Sequence, residues 1–231
     1  MNYFAHAHPW LDDAAVDPHW LAGLAVPDWL GVAARRTKCR TKHVESAFDD
    51  KETRVAELAR GVAQHHSDDA RFHQSRAFVE LSLVFSRMIA NHCREQTDLR
   101  ASFLGHILVE LLLDDTLIQR APERLVRYYD LIAQLDAEWV AGQIESFSGR
   151  SVGKLAEFIE RFVEIRFLAD YTEDRLLVFR LNQVMSRVGL ARLPASFPKL
   201  LPEFREQVTE RADELMNDSD SARTLAPRHR T

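Results

Sequence analysis

Three residues in the stretch GVAQHHSDDARFHQS (residues 61–75) stand four apart: His65, Asp69 and His73. On an α-helix, positions i, i+4 and i+8 share one face with a drift of about 80°. The device recurs in FLGHILVELLLDD, with His106, Glu110 and Asp114. Imidazoles and carboxylates repeated at helical spacing are how a bundle of helices builds a metal site in its core. Mixed nitrogen and hard oxygen donors suit Mn²⁺, Fe²⁺, Zn²⁺ or Mg²⁺, and the lack of thiolate spacing argues against a structural zinc site. Six or more such donors allow two ions, and a pair ~3.5–4 Å apart can activate water and stabilise the leaving oxygen of a phosphoester.

The distribution of histidine supports this. Ten are present, seven of them within the first 73 residues, and none lies between His106 and His229. A scatter of surface residues gives no reason for that asymmetry. Glu110 is flanked by Val109, Leu111, Leu112 and Leu113. An unpaired carboxylate buried there would be strongly penalised, so it needs a cation, a metal or a donor, unless it sits at the polar edge of a surface helix. His6, His8 and Asp28 are further candidate ligands upstream, although Asp28, directly after Pro27, could equally cap a helix. His66 and Asp68 fall on other faces of the motif helix and read as supporting or solvated groups.

These residues need helices to carry them, and the rest of the chain supplies helices. The 231 residues are 46% hydrophobic and 28% charged with only 8 Gly and 8 Pro, the composition of an all-α protein with one good core. Apolar periodicity predicts helices to about Ala25, with a break at Pro27, then over Glu52–Ala63 and on through the motif. Arg76–Cys93 is apolar enough to be a central helix. Further helices are expected over Leu99–Leu117 (capped by Thr97 or Asp98), Pro122–Ile144, Ser151–Ala169, Glu173–Val188 stopped by Gly189, and Glu203–Met216. One domain over residues 1–217 is expected, with a disordered tail over 218–231.

Other function classes are disfavoured. The net charge of −5 argues against general nucleic-acid affinity. No apolar run approaches the ~20 residues of a membrane span, and the start of the chain lacks the pattern of a secretory signal. Cys39 and Cys93 show no zinc or disulfide framework and read as reduced thiols, so the expected location is cytoplasmic. The one basic run, RRTKCRTKH (residues 35–43), is either a mobile solvated loop or an electropositive rim for a phosphate or an acidic partner. Arg35, Arg36 and Lys38 are its candidate contacts. Arg180 and Arg187 are candidate phosphate clamps, with surface ion pairing as the plainer alternative.

The sequence MNYFAHAH, then LAGLAVPDWL, the GVxxHxxxD block and the ExxxDDxL block resemble, in order and spacing, the acyl carrier protein phosphodiesterase family. That resemblance implies an HD-like, all-α metal phosphohydrolase that releases 4′-phosphopantetheine from holo-acyl carrier protein with a divalent metal, Mn²⁺ first. It implies roles for His6, Asp28, His65, Asp69 and Asp114, with Glu110 where the family usually has Asp. Three departures stand out: His73 replaces an Asp, His106 is extra, and Asp115 replaces a His. A fainter resemblance is to zinc-dependent phospholipase C and the fungal single-strand nucleases, through His8, Asp28, His43, His65 with Asp69, His73, and His106 with Glu110. The expectation is a phosphodiesterase with His65, Asp69 and Asp114 as catalytic groups. His6, His8, Asp28, His65, Asp69, His73, His106 and Glu110 would hold the metal, and acyl carrier protein or a small phosphodiester would be the substrate. A catalytically inactive helical scaffold is the alternative the departures suggest.

Overall fold

The computed structural model describes residues 1–94 and 99–220, with side chains up to 217. Every regular element among them is helical, so the chain is all-α. In order these are α1 (Tyr3–Ala7), α2 (Pro18–Ala33), α3 (Thr41–Val44), α4 (Thr53–Gln74), α5 (Arg76–His92), α6 (Ala101–Arg120), α7 (Pro122–Ile132), α8 (Ala137–Ser148), α9 (Leu155–Ile165), α10 (Asp174–Arg187) and α11 (Leu201–Asp220). Short 3₁₀ turns fill several of the connections. No helix among the described residues is long and apolar enough to cross a membrane. The chain forms two compact units, one built from Met1–Ala70 and Glu123–Arg166, the other from Arg71–Pro122 and Phe167–Ser219.

The first unit is organised around α2 and α4. Residues 20–26 of α2 are buried without interruption, so the helix is enclosed on every side. That enclosure explains why α2 runs straight through Pro27, where the sequence predicts a break. Proline removes one intrahelical hydrogen bond and crowds the preceding turn, but the packing of Trp20, Leu24, Trp29 and Leu30 outweighs the loss. Asp28 therefore lies inside a helix and caps nothing. Helices α2 and α4 touch through glycines: a Cβ on Gly23 would stand 2.4 Å from the Leu58 carbonyl oxygen, and one on Gly61 would stand 2.3 Å from that of Trp20. Around this pair the rings of Tyr3, Trp29, Tyr128 and Tyr129 converge on Phe162 of α9 at centroid distances of 5.2–6.2 Å.

In the second unit α5 and α6 are antiparallel neighbours in close contact. Gly105 permits it, since a Cβ there would lie 2.5 Å from Ser86 Oγ and 2.7 Å from the Ser82 carbonyl oxygen. Ser75 caps α5 by accepting from the Phe78 N–H, 3.2 Å away. Phe85 and Phe204 meet at 4.3 Å in the core, where α11 joins α5. Helix α5 is less central than its composition predicts: Val79 and Leu83 are 44% and 52% exposed. The enclosed helix is α6, buried continuously from Leu111 to Ile118. Its Asp115 is paired with Arg205, which also binds Asp174 at 2.9 Å.

Several predicted boundaries move. The single helix expected over Pro122–Ile144 is two, α7 and α8, because Asp136 caps a new start by accepting from the Trp139 N–H at 3.0 Å. Helix α9 ends at Ile165, since Arg166 turns left-handed at φ 50°. Gly189 adopts φ 72° after α10, as its position predicts. The basic run is not a plain loop: Thr37 and Cys39 are buried between exposed Arg36 and Lys38, and Thr41 begins α3. Thr37 Oγ1 donates to the Ser151 carbonyl oxygen at 2.7 Å. Both cysteines are free and buried. Helix α11 continues through 217–220, the start of the expected tail; residues 221–231, and the expected caps Thr97 and Asp98, lie outside the described residues.

Candidate metal centre

Six of the eight ligands expected from the sequence come together in two triplets, each inside one unit: His6, His65 and Asp69 in the first, His73, His106 and Glu110 in the second. Within each triplet the donor atoms lie within 4.8 Å of one another.

In the first triplet the two histidines are buried and the Asp69 side chain is 30% exposed. His6 comes from α1, and His65 and Asp69 share a face of α4, as their i, i+4 spacing requires. The two imidazoles stack with centroids 4.1 Å apart. His65 Nδ1 donates to the Leu24 carbonyl oxygen of α2 at 2.7 Å. A carbonyl can only accept, so Nδ1 carries a proton, and Nε2 faces Asp69 Oδ2 at 3.6 Å. His6 is 1% exposed, yet neither of its ring nitrogens makes a hydrogen bond. Its Nδ1 looks toward Asp68 Oδ2 at 3.6 Å and its Nε2 toward Asp69 Oδ1 at 3.4 Å. Asp68 is in turn held by Gln64 Nε2 at 2.7 Å. The amino group of Met1 binds Asp69 Oδ1 at 2.7 Å.

Burial alone would lower the pKa of His6, but the carboxylates of Asp68 and Asp69 outweigh it and hold the imidazole at about 9. Burial works to raise Asp69, and contacts with His6, His65 and the Met1 amino group hold it far below the usual carboxylate range. Asp28 belongs to the same electrostatic neighbourhood. Burial pushes its carboxyl up, opposed by the charges of His65 and His6. Its Oδ2 is sealed from solvent without a hydrogen-bond partner.

This arrangement fits a divalent cation. His6 meets its two carboxylates only at 3.4–3.6 Å, without hydrogen-bond geometry, and Asp28 Oδ2 has no hydrogen-bond partner, where buried polar atoms are normally paired closely. His65 has a backbone acceptor behind it and His6 a carboxylate behind it, the supports that orient ligating imidazoles. His6, His65 and Asp69 are the residues that would hold the ion, with Asp28 near enough to feel their charges. Gln64 and Asp68 are the supporting residues. Asp68 is legible as such from the motif; Gln64, one turn before it, carries no signal of its own.

The second triplet is more open. His73 Nε2 and His106 Nε2 approach the same atom, Glu110 Oε1, at 2.9 and 3.2 Å. Burial opposes ionisation of Glu110, but the charge of the amino terminus first, and then the two imidazoles, favour the charged form, and its pKa is lowered on balance.

The remaining expected residues lie elsewhere. His8 is outside both triplets, with its ring against Arg124 Nη1 at 2.9 Å. Asp114 is fully buried on α6 and also outside both. Arg35 and Arg36, with Thr37, Ser151 and Gly153, line a cleft of about 400 Å³ in the first unit, and Lys38 is exposed nearby in the chain. Arg180 is bound to Asp170 at 2.6 Å, the ion-pairing alternative, and Arg187 is exposed on α10. His43 Nδ1 accepts from the Arg40 N–H at 3.2 Å, capping α3.

Comparison of the chain with protein-family models, with curated proteins and with solved structures returned no match.

Proposed function

We propose that the chain is a metal-dependent phosphodiester hydrolase whose site is built from His6, His65 and Asp69, with Asp28 beside them. The observation that carries this reading is the buried pair of stacked imidazoles against Asp69, with the nitrogens of His6 and Oδ2 of Asp28 left unsatisfied. A divalent cation at this site, Mn²⁺ first, supplies Lewis acidity toward a phosphoryl group and a nucleophile at neutral pH. The chain's own residues do the rest. The Leu24 carbonyl oxygen holds the Nδ1–H of His65 and so orients the ring with Nε2 toward Asp69. Asp68 braces His6 from behind. Asp69 supplies negative charge, and the Asp28 carboxyl lies within the field of His65 and His6.

The resemblance noted in the sequence adds a substrate class: the 4′-phosphopantetheine arm of an acidic carrier protein, or a related phosphoester, handled in the cytoplasm. Exposed Arg35, Arg36 and Lys38 would give such a partner a basic rim. The test is turnover of bis-p-nitrophenyl phosphate, and of holo-acyl carrier protein, by metal-stripped protein reloaded with Mn²⁺. Hydrolysis lost in His65→Ala supports the reading. A parent protein that binds Mn²⁺ and hydrolyses neither substrate sinks it and leaves the inactive scaffold.

A further inference from the structure

The second triplet has no necessary part in that proposal. Like the first, it offers two imidazoles and one carboxylate. It is also accessible: the side chains of His73 and His106 are 33% and 42% exposed, and Glu110 is 14% exposed.

Three features hold these side chains in register. His106 and Glu110 stand one turn apart on α6, and Gly105 seats that helix tightly on α5. The ring of Phe78 packs edge-on against His106 and His73, each at 4.9 Å, so both imidazoles share one aromatic wall. His73 lies in the last turn of α4, where the helix dipole favours positive charge. The rings of His73 and His106 are 4.9 Å apart. Two Nε2 atoms converging on one carboxylate oxygen must each carry a proton to be favourable there. A single divalent ion can replace both protons.

We propose that His73, His106 and Glu110 form a second, independent metal site that takes Zn²⁺. Imidazole-rich sites prefer Zn²⁺ to Mn²⁺ by the ordinary order of affinities. Two histidines and one glutamate form a three-ligand set that leaves a coordination position for solvent or a small anion. Together with the exposure, this makes the bound ion exchangeable.

The experiment is equilibrium dialysis of metal-stripped full-length protein against Zn²⁺, paired with the visible absorption of the Co²⁺-loaded protein. His106→Ala and His73→Gln each remove an exposed ligand, and circular dichroism checks that the helices persist. The expected result is the loss of one bound Zn²⁺ per chain and of one Co²⁺ absorption component in each variant. His65→Ala, which disables the first triplet, keeps that component, so failure of the phosphodiesterase reading leaves this result intact. Parent-level Zn²⁺ binding in both His106→Ala and His73→Gln overturns the proposal, as does a parent protein that takes up no Zn²⁺ at this triplet.

Discussion

His65 Nδ1 donates a 2.7 Å hydrogen bond to the carbonyl oxygen of Leu24, three residues before Pro27 in the same helix. Helix α2 thus supplies the acceptor that orients a histidine on the next long helix. The bond fixes the imidazole ring with Nε2 turned toward Asp69, the nitrogen through which a ligand would bind.

Metal should therefore stabilise the fold through this residue. An ion that binds only the native chain stabilises it by about 2.7 kcal/mol at a hundred times its dissociation constant. For a chain of this size that is a rise of roughly 5–10 °C in Tm. Scanning calorimetry with Mn²⁺ should show the rise in the parent protein and in His106→Ala, and lose it in His65→Ala. An equal rise in all three would place the ion elsewhere.

The acidity of His6 gives a pH dependence with a defined sign. Its folded pKa is raised from 6.5 to about 9, so the cation is favoured by folding. In metal-free protein that contribution is fully present below the unfolded value and is lost as pH rises through about 9. Metal binding runs the other way, because the ion must displace the His6 proton, so affinity for Mn²⁺ climbs over the same window. Titration calorimetry in buffers of different ionisation enthalpy would detect the released proton. A His6→Gln variant with the parent's pH profile would show that another group is responsible.

The pairs one turn apart were legible because helical spacing is geometric, but the third member of each expected triplet was not: His73 joins His106 and Glu110, His6 takes its place beside His65 and Asp69, and Asp114 joins neither. His65 and Asp69, and His106 and Glu110, had to share a face once their segments were helical. His8 was not legible in the same way: two residues after His6, it faces a different neighbourhood and meets Arg124. The break expected at Pro27 was wrong because local preference is weak beside enclosure, and α2 is enclosed on all sides. The helix expected over Pro122–Ile144 divides at Asp136 for the opposite reason. One capping residue ends a long apolar stripe that periodicity alone would continue.

In the second unit, Asp115 and Arg205 form a buried pair whose disruption should be costly. Burial pushes the Asp115 carboxyl up, with Gln119 and Arg205 opposing it, and Arg205 also binds the Tyr171 carbonyl at 2.9 Å. Arg205→Met leaves the carboxylate without its cation and should destabilise by about 3–5 kcal/mol at neutral pH. The penalty should shrink as pH falls and Asp115 accepts a proton. Asp115→Asn in the same chain should recover part of the loss, and urea denaturation of the single and double variants would measure the coupling. Additive losses would mean that the two residues act separately.

The contact of α2 with α4 sets the position of Leu24 relative to His65, so the glycines at that contact should govern both stability and metal binding. Gly61→Ala would drive a methyl group to 2.3 Å from the Trp20 carbonyl oxygen and 2.9 Å from Gly23 Cα. Both obstacles are backbone, so the helices themselves must separate. Overpacking of this kind costs about 1–3 kcal/mol and here belongs at the upper end. Gly142→Ala is the matched control, because nothing lies within 4 Å of its added Cβ in α8, and it should stabilise by about 0.4–1 kcal/mol. In chemical denaturation the two variants should move in opposite directions, and only Gly61→Ala should weaken Mn²⁺ binding, by spoiling the bond from His65 to Leu24. A Gly61→Ala protein with parental stability and affinity would mean that the two helices do not need this contact.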